Sequence, residues 1–260
     1  MRIATWNVNS LRLRLPQLEK WAKKARPDVL CLQETKTEDA EFPAAELRAL
    51  GFEHIAFRGE RSYNGVAILS RFPLDDLRFN FGDGVDDSQP RMVTARVAGI
   101  RVIGCYVPNG QDLASPKFAY KLAWLERLRA FLDRIATPDQ PLALVGDMNV
   151  ALGDSDVWDP FACAGTVLFH PLEHERMAPI LAFGLVDTYR EKHPFGSQFS
   201  WWDYRAMGFQ RNHGLRIDHI FVTPPLMARL QTITIDREIR GWPSPSDHVP
   251  VVATFSDMSG

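Results

Sequence analysis

Pro141-Leu142-Ala143-Leu144-Val145-Gly146-Asp147-Met148-Asn149 is an apolar run that ends abruptly in a carboxylate and a carboxamide. A short apolar run bounded by turn signals reads as a buried strand. The polar pair stands where that strand leaves its sheet. The chain opens in a similar way, with Ile3-Ala4-Thr5-Trp6 running into Asn7-Val8-Asn9. Each run opens a stretch of short strands interrupted by helices, so the sequence divides into two similar halves.

Outward from these runs, Leu11, Leu15, Leu18, Trp21, Ala22 and Ala25 recur at helical spacing and predict an amphipathic helix over residues 14–25. A buried strand over 28–33 follows Pro27, and a short helix over 43–50 stops at Gly51. Strands are expected at 53–58, 65–70, 92–98 and 100–107. Ser115-Pro116 is an N-cap with proline at the first helical position, opening a long helix marked by Phe118, Leu122, Leu125, Leu128, Phe131, Leu132 and Ile135. The second half offers a helix over 171–183 and strands at 216–223, 230–236 and 249–255. With no linker or low-complexity segment, the expectation is one α/β domain over 1–260: two mostly antiparallel sheets face to face, helices outside, with pseudo-symmetric halves.

Composition excludes several classes. The 260 residues are 45% hydrophobic and 24% charged, which is the balance of a folded globular chain and not of a disordered one. A formal charge of −2 excludes a nucleic-acid binder that works through a diffuse basic surface. Any such contact must use a local patch, or a bound cation that supplies positive charge where a phosphate sits. Cys31, Cys105 and Cys163 are odd in number and irregularly spaced, which argues against a disulfide framework or a zinc site and for a reducing compartment. The first residues read as strand without a preceding leader, and no apolar run approaches membrane-span length. A cytoplasmic, monomeric protein without membrane contact is expected.

Five strand ends share the feature of the opening stretch: Asn7, Glu34, Asp147 with Asn149, Asp218, and Asp247-His248. Singly, each has a plainer explanation as a turn or surface residue. Asp218 resists it, because a carboxylate inside the apolar run Leu215–Phe221 needs a partner. Gathered at one mouth of a sandwich, these groups form an oxygen-rich site suited to Mg²⁺ or Mn²⁺ and unsuited to zinc. His248 with Asp218 is then a pair able to orient and charge an imidazole facing a phosphate.

At these residues the sequence resembles the exonuclease III family of DNA repair nucleases, within the endonuclease/exonuclease/phosphatase superfamily. The resemblance is carried by Thr5–Arg12, Pro27–Lys36, Tyr63–Ser70, Tyr106–Gly110, Gly146–Asn149, Phe199–Arg205, Asn212–Asp218 and Ser246–Pro250, in family order along the chain. It implies a four-layer α/β sandwich. Glu34 is then the principal metal ligand, with Asn7 beside it and Asp247 near the metal or its waters. Asp147, Asn149 and His248 surround an overlapping second cation position. Asp147 activates the attacking water and Asn149 positions it, Tyr106 and Asn109 contact phosphate, and His248 with Asp218 polarises the scissile phosphate or acts as base. The reaction implied is in-line attack of water on a DNA phosphodiester, beside an abasic nucleotide or at blocked 3′ ends.

DNA contacts are expected from the loop holding Trp201, Trp202, Tyr204 and Arg205, then Arg211 and Asn212, with one of the two tryptophans in the core. Two departures from the family pattern bear on substrate choice. Gln111-Asp112 stands where some relatives place an arginine, and Leu168 stands where abasic-site enzymes carry glycine or serine, in a segment (158–169) lining the pocket for the flipped-out sugar. Alternatives are an enzyme confined to 3′ ends, a phosphoesterase for inositol phosphates or sphingomyelin, and an inactive DNA-binding module.

Overall fold

The computed structural model describes residues 1–85 and 88–256. In chain order, β1 (Arg2–Asn7), α1 (Leu11–Ala25), β2 (Val29–Gln33), α2 (Ala44–Ala49), β3 (His54–Arg58), β4 (Val66–Ser70), β5 (Asp75–Arg78), β6 (Met92–Val97) and β7 (Ile100–Tyr106) lead to the long helix α3 (Pro116–Ile135). Then follow β8 (Leu142–Asp147), α4 (Pro160–Cys163), α5 (Pro171–Leu181), β9 (Val186–Asp187), α6 (Thr188–Lys192), β10 (Trp201–Trp202), β11 (Gly214–Leu215), β12 (Asp218–Val222), α7 (Pro224–Met227), β13 (Leu230–Ile235) and β14 (Val251–Phe255).

Two six-stranded sheets form, in the orders β13-β14-β1-β2-β4-β3 and β5-β6-β7-β8-β12-β9. Each has one parallel pair at its centre, β1 with β2 and β7 with β8, and antiparallel pairs on either side. The internal likeness is therefore between sheets, with strands from both ends of the chain completing the first. The central strands are apolar throughout because both of their faces are covered. Between the sheets, Gly104 of β7 faces Cys31 of β2, and a Cβ there would stand 3.3 Å from the sulfur, so glycine sets the sheet separation. Burial pushes the Cys31 and Cys105 thiols well up, as befits small core hydrophobes.

Helix α1 covers the first sheet through Leu18 and Trp21. Helices α3 and α5 cover the second through Trp124, Leu128, Met177 and Ile180. Ser115 caps α3 by accepting from the Lys117 N–H, with Pro116 in the first turn. His170 and Glu173 cap α5 reciprocally. No helix among the described residues is long and apolar enough to cross a membrane.

The short elements α4, β9, α6, β10, β11 and α7 have no counterpart among the sequence expectations, and three further departures concern longer segments. Helix α1 starts at Leu11, three residues early. The exposed edge strand β5 carries Asp75, Asp76 and Arg78 and lacks an apolar signature. The strand expected over 216–223 begins only at Asp218, because the Arg216 N–H bonds the Asp156 carbonyl and the Ile217 N–H bonds the Ser200 hydroxyl instead of a sheet neighbour. The Arg216 guanidinium is buried between Asp156 and Asp187, which anchors the approach to β12.

Candidate active site

The topology explains why the polar strand ends meet. β1 ends at Asn7, and its parallel neighbour β2 leads into Glu34. In the other sheet β8 ends at Asp147, with Tyr106 beside it on parallel β7 and Asp218 opposite it on antiparallel β12. Val251 pairs with Thr5, so Asp247 and His248 arrive at the same edge just before β14 begins. β1 lies across β8, which brings the two edges into one mouth. Gly146, at φ 142°, turns the last residues of β8 into it; a Cβ there would collide with the Cys105 carbonyl.

At the centre, the Asn7 amide Nδ2 donates to Glu34 Oε1 (2.8 Å) and Asp147 Oδ2 (2.9 Å). Asp147 Oδ1 accepts the Asn149 N–H at 2.9 Å. Asn149, at φ 49°, donates through Nδ2 to the Val107 carbonyl and accepts at Oδ1 from Asn109 Nδ2 (2.9 Å). His248 Nδ1 lies 2.8 Å from Asp218 Oδ2, which also accepts the Ser200 hydroxyl at 2.7 Å. His248 Nε2 points the other way, 3.7 Å from Asp147 Oδ2.

Electrostatics follow from this packing. Burial pushes the Asp147 carboxyl well above the usual carboxylate range; Asp218 and Glu34 add to the rise, while His248 and Asn7 oppose it. For His248 burial pulls downward, but the carboxylates of Asp218 and Asp147 outweigh it and lift the imidazole to about 10. The ring is therefore a cation at neutral pH. Burial also raises Tyr106 well above the ordinary phenol value, with Glu34 and Asp147 next in weight, so its hydroxyl keeps its proton.

Glu34, Asp147 and His248 offer ligand atoms within 4.8 Å of one another. His248 presents Nε2 to this group while its Nδ1 is held by Asp218. The oxygen donors here are the carboxylates of Glu34 and Asp147; Asn7, expected beside Glu34 as a ligand, turns its NH2 toward both while its Oδ1 accepts the Asn9 N–H at 3.0 Å, so it orients the carboxylates. Such a set suits a hard divalent ion. Lys36 Nζ, 2.8 Å from Glu34 Oε2, supplies the positive charge nearest this set.

Several expected residues lie elsewhere. Asp247 stands outside the cluster: its oxygens accept from Asn9 Nδ2 (2.9 Å) and Trp201 Nε1 (3.0 Å). Asn149, expected as a shared ligand, is turned toward Asn109 and Val107. Trp202, expected to touch DNA, is 0% exposed and packs on Phe199 and Phe209; Trp201 is the member of the pair that borders the mouth. Arg205 is exposed but neutralised by Asp203 at 2.7 Å. Asn212 Oδ1 receives Trp202 Nε1 at 3.3 Å, and Arg211 is exposed beside it. Leu168, at φ 80° and 8% exposed, packs with Ala151, Val157, Phe169, Leu215 and Ile217, against which Trp201 also rests. The sequence reading missed Lys36, Asn9, Ser200 and the buried Lys121–Glu173 pair.

The model of the endonuclease/exonuclease/phosphatase family matches residues 4–248. The chain is 34% identical to exodeoxyribonuclease III of Haemophilus influenzae, with 98% of this chain and 100% of that protein covered. It is similar to the solved structure of the 3′ phosphatase NExo from Neisseria bound to a product DNA hairpin, at 42% identity and a TM-score of 0.95 over 99% of this chain and 100% of that one. An AP endonuclease from Archaeoglobus fulgidus is similar at 39% identity and a TM-score of 0.95, with the same coverage of both chains.

Proposed function

The chain belongs to the endonuclease/exonuclease/phosphatase family, in its exonuclease III branch, and from that premise we propose a divalent-metal-dependent DNA repair nuclease that hydrolyses phosphoester bonds at abasic sites and at blocked 3′ ends of duplex DNA. The working form is a cytoplasmic monomer. The observation that carries this reading is the convergence of Asn7, Glu34, Asp147 and the His248–Asp218 pair at one mouth.

Asp147 takes the proton of the attacking water; its raised pKa makes the carboxylate basic enough for that task near neutrality. Asn149, fixed by Val107 and Asn109, positions that water, and the Asn109 amide and Tyr106 hydroxyl bind phosphate oxygens. His248, held charged by Asp218, faces the scissile phosphate and offsets its developing charge. Glu34 and Asp147, oriented by the Asn7 amide, would hold Mg²⁺ or Mn²⁺, which would supply further charge neutralisation at the phosphate.

The direct test is a gel assay with Mg²⁺ or with EDTA, on a duplex carrying one internal abasic analogue and on a nicked duplex ending in a 3′-phosphate. Mg²⁺-dependent cleavage of either DNA is expected. Cleavage of neither, or full activity in EDTA, removes the reading.

One observation favours a narrower reading, in which 3′ ends are processed and internal abasic sites are cut weakly. Leu168 fills the small apolar cluster beside Trp201 and Ile217, next to Asp218. It also holds a left-handed conformation that glycine adopts without strain. Leu168→Gly is therefore expected to raise abasic-site cleavage relative to 3′-phosphate removal by about tenfold. An unchanged ratio in the same assay rules out this leucine as the selecting group.

A further inference from the structure

Lys121 of α3 has no part in the chemistry above, yet its side chain is fully buried beneath the site. Its ammonium donates to the Asn149 carbonyl (2.6 Å), the Asn109 carbonyl (3.1 Å) and Glu173 Oε1. An ammonium has three protons, and all three are engaged. Glu173 of α5 is equally buried; its carboxylate also accepts the N–H groups of Leu168 (3.2 Å) and His170 (3.0 Å). The Leu168 carbonyl in turn accepts the Ala151 N–H at 2.8 Å.

The pair therefore stands at the junction of the loops that carry Asn109, Asn149 and Leu168. Helices α3 and α5 already pack through Trp124, Leu128, Met177 and Ile180, so cohesion alone does not call for buried charge. Desolvating two charges is costly, and an apolar pair of similar volume holds helices together as well. The charges add direction, because each proton and each lone pair selects one backbone position.

We propose that Lys121 and Glu173 are positioning residues. They hold the backbone of Asn109 and Asn149 so that the two mutually bonded amides present one fixed edge to the phosphate, and they tie the Leu168 backbone to the same point. Substrate selection and phosphate alignment are thereby set together. The inference rests on the proposed reading of the site, since neither residue touches substrate.

The test is the double variant Lys121→Met/Glu173→Gln, which removes both charges without leaving either unpaired. It is read in full-length protein with Mg²⁺ on the 3′-phosphate nick and the abasic duplex. Leu128→Ala, in the core of α3, is the control for lost packing. The double variant is expected to lose about tenfold to a hundredfold in kcat, with a smaller change in KM and an altered ratio between the two substrates. Leu128→Ala is expected to lower Tm while leaving kcat and that ratio in place. Should the double variant be insoluble, Lys121→Gln/Glu173→Gln, which keeps a polar group at both positions and leaves no charge unpaired, is read in the same assay, with the same direction expected. Wild-type cleavage accompanied by undiminished kcat in these variants, or by an equal loss in Leu128→Ala, overturns the inference alone. Absence of wild-type cleavage overturns the functional reading and this inference with it.

Discussion

Asp147→Asn is expected to lower turnover on a 3′-phosphate nick by about 10³-fold or more while leaving DNA affinity within a few-fold. The substitution is isosteric, and the asparagine oxygen can still accept the Asn149 N–H that Asp147 Oδ1 accepts. The loops keep their places once the Asn7 amide, which donates to Asp147 Oδ2, turns away from the new NH2. What disappears is the group able to take the proton of water, together with one of the two carboxylates that face a cation. The two losses separate by titration with Mg²⁺. If the metal role dominates, raising the ion concentration restores rate; if the base role dominates, rate stays low at saturation. The mechanism predicts the second result. Single-turnover gels give the rate, and fluorescence anisotropy on the same nicked duplex gives the affinity. Folding is not at risk, because a buried carboxylate raised by desolvation is replaced by a neutral amide. A variant turning over at near wild-type rate removes Asp147 from the chemistry.

Most of this centre is legible in the sequence for one physical reason. An apolar strand that stops at a carboxamide or carboxylate marks both a buried segment and the place where it opens to solvent, so fold and site are read from the same residues. Asn7, Glu34, Asp147 and the His248–Asp218 pair meet because parallel pairs at the centre of each sheet put their ends on one edge. Position along a strand says less about which way a side chain turns. Trp201 and Trp202 are adjacent and chemically identical, and the ribbon of β10 with β11 sends one to the mouth and the other to the core. Asp247, expected near the metal or its waters, is held by donors from Asn9 and Trp201, contacts with residues remote in sequence that only the fold reveals. Lys121 does leave a signal: it falls between Phe118 and Leu125 on the apolar stripe of its helix, where a charge demands a buried partner. Its partner, Glu173, reads first as an ordinary helix-capping residue, so only the fold unites the two.

His248→Gln is expected to lower kcat by about 10²-fold to 10³-fold, and Asp218→Asn by less, with a distinctive change in pH dependence. In the folded protein the His248 imidazole is lifted to about 10, chiefly by Asp218 against the pull of burial. Its charge is thus present throughout the neutral range and is lost as pH rises through that value. Removing the Asp218 charge takes away the largest raising contribution, so the folded-state pKa falls and the alkaline limb of kcat moves to lower pH. The sign is fixed, since a weaker partner yields a ring that deprotonates earlier. His248→Gln, with no titrating ring, loses that limb altogether and stays slow at every pH. Ser200, which donates to the same Asp218 oxygen, keeps the asparagine oriented in Asp218→Asn, so the variant tests charge with little disturbance of geometry. A kcat profile measured between neutral and strongly alkaline pH distinguishes the cases. If Asp218→Asn leaves the alkaline limb where the wild type has it, the limb does not belong to His248, and the phosphate is neutralised by another group.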